Sequence, residues 1–469
     1  MERDEEMKKR KNSFRADLIG IALPVTLQSL LQSSFGMVDQ IMIGQLGSES
    51  IAGIGLGGKF ASLYTVVLGA VAAAAGIMAA QYVGAKDEKG MGRSFYLNLL
   101  VGLILACGFL VVCGVFPEKI MSLYTRDKAV KVQAALYLRI YAISFPMMAI
   151  STIMTVFLRC VGKAAFPLAA SFLSVLLNTG LNYLLVFGKG GFSAMGVQGA
   201  AIASVVAQAA AFGVTAVYFL YSNELGSYLR VGKMRAAFPL TGEARKQYLG
   251  ILAPVLVCEF VWSLGENMYA VIYGRMGTVP CAAMTMTGPV QGLMIGLLSG
   301  VSQAAGIMIG RHLGEGDLET AYGDSKKLMG CGIAGSVFLS LLLVLVGEGY
   351  VSLYHVEPQV QKTAYLILVA FAIISPIKVQ NMILGGGIIR SGGMTRYVMW
   401  IDMIGTWVFG VPLGFLAAFV WRLPIHQVYF ILSLEEVVRF LISAVIFRKR
   451  CWMCQLHDMC TDKPESAQS

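Results

Sequence analysis

Apolar stretches of 20–30 residues follow one another along almost the whole chain, separated by short polar connections. A helix needs about 20 apolar residues to cross the hydrocarbon of a bilayer. The stretches mix Gly, Ala, Leu, Ile and Met without the alternation of a barrel strand, so each reads as a helix. The pattern predicts twelve spans, at 17–44, 51–82, 93–115, 131–158, 166–187, 196–221, 246–274, 281–311, 326–347, 361–389, 395–419 and 425–447. The longest polar connection, 222–245, carries Arg230, Lys233, Arg235 and Arg245 and divides the spans six and six. The expected organisation is an all-α membrane protein with a polar tail at 1–16, an N-lobe at 17–221, a linker at 222–245, a C-lobe at 246–447 and a second polar tail at 448–469.

The two halves repeat one another. At an offset of 230, Pro24 meets Pro254, Gly44 meets Gly274, Gly47 meets Gly277, and Ala74-Ala75-Gly76-Ile77-Met78 meets Ala304-Ala305-Gly306-Ile307-Met308. Gly84 and Gly314, Ser122-Leu123-Tyr124 and Ser352-Leu353-Tyr354, and Pro146 and Pro376 keep that offset, while Arg159/Arg390 and Gly162/Gly393 sit at 231. Six spans per copy is an even number, so both copies enter the membrane from the same side. The repeat is parallel, about an axis along the membrane normal, which is a transporter architecture in which rocking of two halves exposes one site to either side.

Composition agrees with the pattern. The chain is 57% hydrophobic and 14% charged, with a mean hydropathy of +0.69, against about a quarter charged in a soluble chain. The net charge of +10 does not mark a nucleic-acid binder. Of the 37 Lys and Arg, 25 fall on the side of the N-terminus and eight on the other, a bias that places both termini in the cytoplasm. No cleavable signal is evident, since the first apolar run follows a charged tail and is too long. Most of the nine cysteines stand singly in apolar runs, where Cys behaves as a small hydrophobe. The tail spacing Cys451, Cys454, His457, Cys460 resembles a zinc ligand set, but chance spacing in a cytosolic tail is the expectation and no metal is assigned. The series Gly53, Gly55, Gly58 fits G-x-G-x-x-G inside a span, where it serves helix packing rather than a dinucleotide. No phosphate-binding G-x-x-x-x-G-K-[ST] and no H-E-x-x-H occur, so no ATPase and no cofactor are expected.

The motifs then resemble a known family, the multidrug and toxic compound extrusion (MATE) transporters. They are VDQIMIGQLG from Val38, LNTGLNYLLVFG at 177–188, GVQGAAIAS at 196–204, ENMYAVIYGRMG at 266–277 and the pair LRCVGK and IIRSGGMT. The similarity runs from Leu18 to Phe447 and looks nearest to the bacterial branch with DNA-damage-inducible-F-like members. It implies two six-helix lobes forming a V around a central cavity, and export of amphipathic, often cationic compounds against inward H⁺ or Na⁺. It also implies a multi-pass protein of the bacterial cytoplasmic membrane, working on small molecules among lipids; the oligomeric state is open, with a monomer the expectation.

An acid at bilayer depth costs about 2.5–3.5 kcal/mol to insert, so an intramembrane carboxylate is a candidate site. Asp39 matches the acid of the family's first helix, implicated in cation coupling; a structural pair with Lys59 is the alternative. Asn178 and Asn182 share a helix face at i,i+4. The second is Asp in much of the related group, and an Asn can ligate Na⁺ but cannot carry a proton. Ser204 matches a hydroxyl position near that site; helix-joining hydrogen bonds are the plainer reading of all three. Glu259 and Glu266 share a face of span seven at i,i+7, with Glu259 resembling a C-lobe coupling acid and Lys378 the expected structural partner of both. Glu435 and Arg439 stand i,i+4 in the favourable order and read as an ion pair. Asp402 reads as structural or gating. Pro24 and Pro254 interrupt equivalent helices and are candidate hinges or static kinks.

The 25 Met and 48 aromatic residues suit an adaptable apolar cavity that can hold cations over ring faces. A secondary multidrug antiporter is the leading reading. A flippase for lipid-linked sugars would favour cationic residues in the cavity, whereas the intramembrane charges here are mostly acidic. An intramembrane enzyme would need clustered acids or His, and the sequence shows none.

Overall fold

In the computed structural model, residues 2–43, 46, 48–221, 242–354 and 356–456 are described, with the side chains of all but 2–13, 35–41, 48, 220 and 243. Among the described residues the regular structure is entirely helical. The first half contains α1 (Glu2–Ile43), α2 (Ser48–Gly84), α3 (Glu88–Val115), the short α4 (Pro117–Ser122), α5 (Lys128–Tyr141), α6 (Phe145–Cys160), α7 (Ala165–Phe187) and α8 (Val197–Tyr221). The second half contains α9 (Gly242–Arg275), α10 (Thr278–Glu315), α11 (Leu318–Ser352) and α12 (Pro358–Asn381), which continues as a π-helical stretch, Met382–Ile389. Then come α13 (Thr395–Met403), a π-helical stretch at Ile404–Gly410, α14 (Val411–Phe415), a second π-helical stretch at Leu416–Val420, α15 (Ile425–Leu432) and α16 (Glu435–Arg448).

Among the described residues, eleven helices are long and apolar enough to span a bilayer, and they correspond to the first eleven predicted spans. The twelfth differs. Its apolar run is continuous in sequence, yet the helix breaks at Ser433–Leu434. There the amides of Leu434, Glu436 and Val437 bond three residues back instead of four, a tightening typical of helix ends. The break puts Glu435 and Glu436 in the first turn of α16, where the positive end of the helix dipole favours acids.

Residues 2–16, read as a tail, continue α1. The sequence explains this locally: Asp4/Lys8, Glu5/Lys9 and Glu6/Arg10 stand acid-first at i,i+4, the order that supports a helix. Of the linker, residues 222–241 lie outside those described, and α9 begins at Gly242. Of the second tail, residues 448–456 are described. Trp452 is fully buried and stacks on Phe447. The Leu456 amide donates to Gln81 Oε1 at 2.8 Å, and Gln247 Nε2 donates to the Leu456 carbonyl at 2.7 Å. Outside the membrane-crossing stretches, Arg450 donates to Glu319 Oε1 at 2.5 Å, and that hydrogen bond raises the guanidinium pKa.

The repeat shows in the connections. Asp87 caps α3 by accepting from the Gly90 amide, and Asp317, 230 positions on, caps α11 by accepting from the Thr320 amide, both at 3.0 Å. Each follows a residue in the left-handed region, Lys86 and Gly316. Gly162 and Gly393 both carry positive φ, after α6 and after the π-helical end of α12. A side chain is rarely accommodated in that conformation, which is why glycine recurs.

The chain divides into two compact units, one of Leu27–Ala79 with Asp87–Pro239, the other of Met1–Thr26, Ala80–Lys86 and Leu240–Ser469. The division is not a single cut in the linker, because the start of α1 and the end of α2 belong with the second half. Glycines account for that. A Cβ on Gly314 would run into the Gln81 carbonyl, one on Gly84 into the Arg311 carbonyl, and one on Gly300 into Ala22 and Thr26. Thr26 Oγ1 also donates to the Leu297 carbonyl at 3.0 Å. Inside the first unit, Tyr64 is fully buried, lies 4.3 Å from the Phe145 ring between centroids, and donates to the Phe145 carbonyl at 2.9 Å.

Candidate functional site

Polar groups within the spans gather in two places. In the first unit, α7 presents Asn178 and Asn182 on one face toward α8. Asn182 Nδ2 donates to Asn178 Oδ1 at 3.2 Å, Asn178 Nδ2 to Ser204 Oγ at 3.2 Å, and Ser204 Oγ to the Ala200 carbonyl at 3.1 Å. The three residues singled out in the sequence are therefore one hydrogen-bonded string, with Asn182 1% exposed. Asp39 lies on α1, but its side chain is outside those described. Lys59, its suggested partner, is exposed.

Arg159 is the residue this unit adds. It reads as a loop charge in sequence, yet it donates to Gln28 Oε1 at 2.5 Å, and Gln28 Nε2 donates to Ser171 Oγ at 2.6 Å. Gln28 lies one turn past Pro24. The second unit repeats the device: Arg390 reaches Cys258 Sγ at 3.7 Å and Glu259 Oε1 at 3.3 Å, four and five residues past Pro254. The structural partner of Glu259 is thus Arg390, not Lys378. The sequence signal was present, since Arg159 and Arg390 are matched in the repeat.

Pro24 and Pro254 both sit inside unbroken helices. Pro254 cannot donate to the Gly250 carbonyl. The hydroxyl of Thr395, 1% exposed, lies 3.4 Å from that carbonyl and 3.2 Å from that of Ile251. A side chain of α13 thus serves the backbone group the proline leaves open.

The second gathering is more highly charged. Arg439 of α16 stands at 3.5 Å from Glu435, 3.6 Å from Asp402 and 4.0 Å from Glu436, and it donates to Thr406 Oγ1. The Glu435–Arg439 pair has the expected spacing. Asp402, read as structural or gating with no partner named, proves to be shared by Arg439 and the Cys258 thiol, which donates to it at 2.8 Å. Glu436 accepts from Asn381 Nδ2 at 2.9 Å and lies 3.7 Å from Lys378 Nζ. The Tyr269 hydroxyl donates to Glu435. Gly405 and Gly410, in the π-helical stretch after α13, make room: a Cβ there would meet Arg439 and Glu435 respectively. Wide helical turns of this kind recur at functional sites.

Two adjoining cavities share Lys378 and Glu436. One, of about 310 Å³, is lined by Glu266, Tyr269, Tyr273, Gln291, Tyr429 and Glu435. The other, of about 270 Å³, adds Glu259, Trp262, Arg390, Asp402 and Arg439. Glu266 makes no ion pair among the described residues and is exposed at the first cavity. Among the described residues no group of His, Cys, Asp and Glu is placed to hold a metal ion. Cys451 is exposed and Cys454 partly buried, while His457 and Cys460 of the tail spacing lie outside the described residues.

The MatE family model matches residues 24–184 and again 254–416, two copies whose starts are 230 residues apart. The chain belongs to the MatE family. It is a multi-pass membrane transporter. Among curated MatE-like relatives, "Probable multidrug resistance protein NorM" of Thermotoga maritima is 24% identical over 446 residues, covering 94% of this chain and 93% of that one. "Uncharacterized transporter YisQ" of Bacillus subtilis is 20% identical over 437 residues, covering 93% and 94%. Of solved structures, a MATE in the bent conformation superposes with a TM-score of 0.83 at 17% identity over 95% of this chain and 97% of that one. A MOP superfamily transporter from Pyrococcus furiosus gives 0.84 at 17%, over 96% and 97%. At these identities the MatE structures establish the fold, and the two-copy MatE match accounts for the paired Arg159 and Arg390 devices.

Proposed function

We propose that this protein is a secondary active multidrug antiporter of a bacterial cytoplasmic membrane, with both termini in the cytoplasm. It exports amphipathic cations in exchange for H⁺ or Na⁺ and works as a monomer. The observation that carries the reading is the cavity in the second unit. Three glutamates, Glu266, Glu435 and Glu436, share it with Tyr269, Tyr273 and Tyr429. Carboxylates supply charge complementarity to a cation, and tyrosine faces attract it and bury its apolar body. A flippase for pyrophosphate-linked lipids would require the opposite charge there.

Coupling is assigned to Asp39 with Asn178, Asn182 and Ser204. An intramembrane acid far from any charged neighbour in sequence is a group able to exchange a proton or ligate Na⁺, and amide and hydroxyl oxygens are suitable further ligands for a hard cation. Glu259, tied to Arg390, is assigned to holding α9, and Glu266 to the substrate.

The test is ethidium efflux from an efflux-deficient bacterial host expressing the protein, with and without Na⁺ and with a protonophore. Asp39→Asn abolishes efflux and Glu259→Gln retains most of it on this reading. Sensitivity to Na⁺ removal or to the protonophore names the driving ion. Loss confined to Glu259→Gln would move coupling to the second unit. A folded wild-type protein that exports no organic cation would sink the proposed cargo.

A further inference from the structure

Among the described residues, Lys378 is the one cation lining the 310 Å³ cavity. It faces Glu436 at 3.7 Å, inside ion-pair range but beyond hydrogen-bond length. Glu436 is more closely held elsewhere, by Asn381 Nδ2 at 2.9 Å, and Arg439 stands behind it at 4.0 Å. The two partners also differ in exposure: the Lys378 side chain is 38% exposed and that of Glu436 6%. The Lys378 side chain is the more open of the two, and the Glu436 carboxylate is the one held by further partners. The same cavity is also lined by Glu266, without an ion pair among the described residues, and Glu435, held by Arg439 and Tyr269. The remaining ionisable side chains lining it are Tyr269, Tyr273, Tyr429 and Cys281. A lysine is a hydrated point charge on a flexible four-carbon stem, so it can leave Glu436 without leaving that carboxylate bare.

We propose that Lys378 is the resident counter-cation of this cavity and sets its specificity. Its ammonium neutralises Glu436 while the cavity is empty and competes with an incoming organic cation for the carboxylates. The cavity therefore discriminates by charge, admitting monocations and repelling dications more strongly than its count of glutamates alone would allow. This rests on the cation-export reading above, and it adds a residue to which sequence reasoning gave only a structural role.

The experiment measures equilibrium binding of tetraphenylphosphonium and of tetraphenylborate to the purified full-length protein. The two probes share a shape and differ in the sign of their charge. Removing a positive charge roughly 8 Å from a bound cation, at the effective dielectric of a protein site, corresponds to a change of about tenfold or more. In K378M, tetraphenylphosphonium is expected to bind about tenfold tighter and tetraphenylborate correspondingly weaker, while K378R stays near wild type. K378Q, which keeps a donor for Glu436, replaces K378M if the latter does not purify as a monodisperse species. Affinities that move together for both probes indicate a packing role and overturn the proposal, as does an unchanged affinity in the neutral variants. Ethidium efflux, measured separately, keeps the two readings apart. A wild type that exports nothing while K378M tightens phosphonium binding removes the export function and leaves the lysine's role standing. A wild type that exports while K378M binds no tighter does the reverse.

Discussion

Replacing Arg439 by Met tests whether the second unit's charge cluster is a structural keystone. The Arg439 side chain is 8% exposed, and those of Glu435 and Glu436 are 7% and 6%. Removing the arginine leaves two nearly buried carboxylates at adjacent positions, with Asp402 also deprived of its cation. Breaking a buried pair by deleting one partner costs about 3–5 kcal/mol, since the surviving charge stays buried and uncompensated. Two carboxylates are left here, Glu435 relieved by Tyr269 alone and Glu436 by Asn381 and Lys378, so a cost of about 3 kcal/mol, the lower end of that range, is expected. The assay is the thermal midpoint of detergent-solubilised protein, followed by the loss of the monodisperse peak on size exclusion. R439M should melt far below wild type. The triple variant E435Q/E436Q/R439M should recover most of the difference, because an uncharged replacement of a buried ion pair is often neutral. Wild-type stability in R439M, or no recovery in the triple variant, would refute the argument that charge compensation is what Arg439 supplies.

Further outcomes follow from the backbone. Thr395→Val removes the hydroxyl that serves the carbonyl freed by Pro254, and should cost about 1 kcal/mol by leaving a partly buried acceptor unmet; adding Pro254→Ala, which restores the helical donor, should recover part of it on the same thermal assay. Gly314→Val drives a side chain into the Gln81 carbonyl and should lower the thermal midpoint by a cost of at least about 1–3 kcal/mol, the usual penalty of overpacking. Gly180→Ala, where a Cβ meets nothing within 4 Å, should be neutral or stabilising by up to about 1 kcal/mol in the same measurement.

The residues of the first unit's polar string were legible from spacing and motif alone. Asn178 and Asn182 need only helical periodicity to share a face. Ser204 required a second helix, and the motif ending at that residue supplied it. The second unit was less legible. Glu259 has its partner 131 positions away in Arg390, Asp402 has Cys258 144 positions away, and Lys378 has Glu436 rather than Glu259 or Glu266. Arg159 and Arg390 read as loop charges because they stand at the ends of apolar runs, while their long side chains reach the first helix of their own half. The docked tail escaped for a similar reason: a lone Trp452 in a polar segment carries no periodicity, and only the neighbouring helices show that there is a space for it.

What the sequence determined by itself is what local chemistry controls. Apolar length set the spans, glycines such as Gly162 and Gly393 set the left-handed turns, Asp87 and Asp317 set the helix starts, and the 230-residue offset set the two-copy plan. Each of the local features is decided by the residue itself or by neighbours within a turn or two. The tertiary structure alone decided which charges meet, where α15 ends and α16 begins, and that the end of α2 belongs with the second half's unit. Those outcomes depend on how closely helix backbones approach, at Gly84, Gly300, Gly314, Gly405 and Gly410, and close approach is a property of pairs of helices that no single stretch of chain contains.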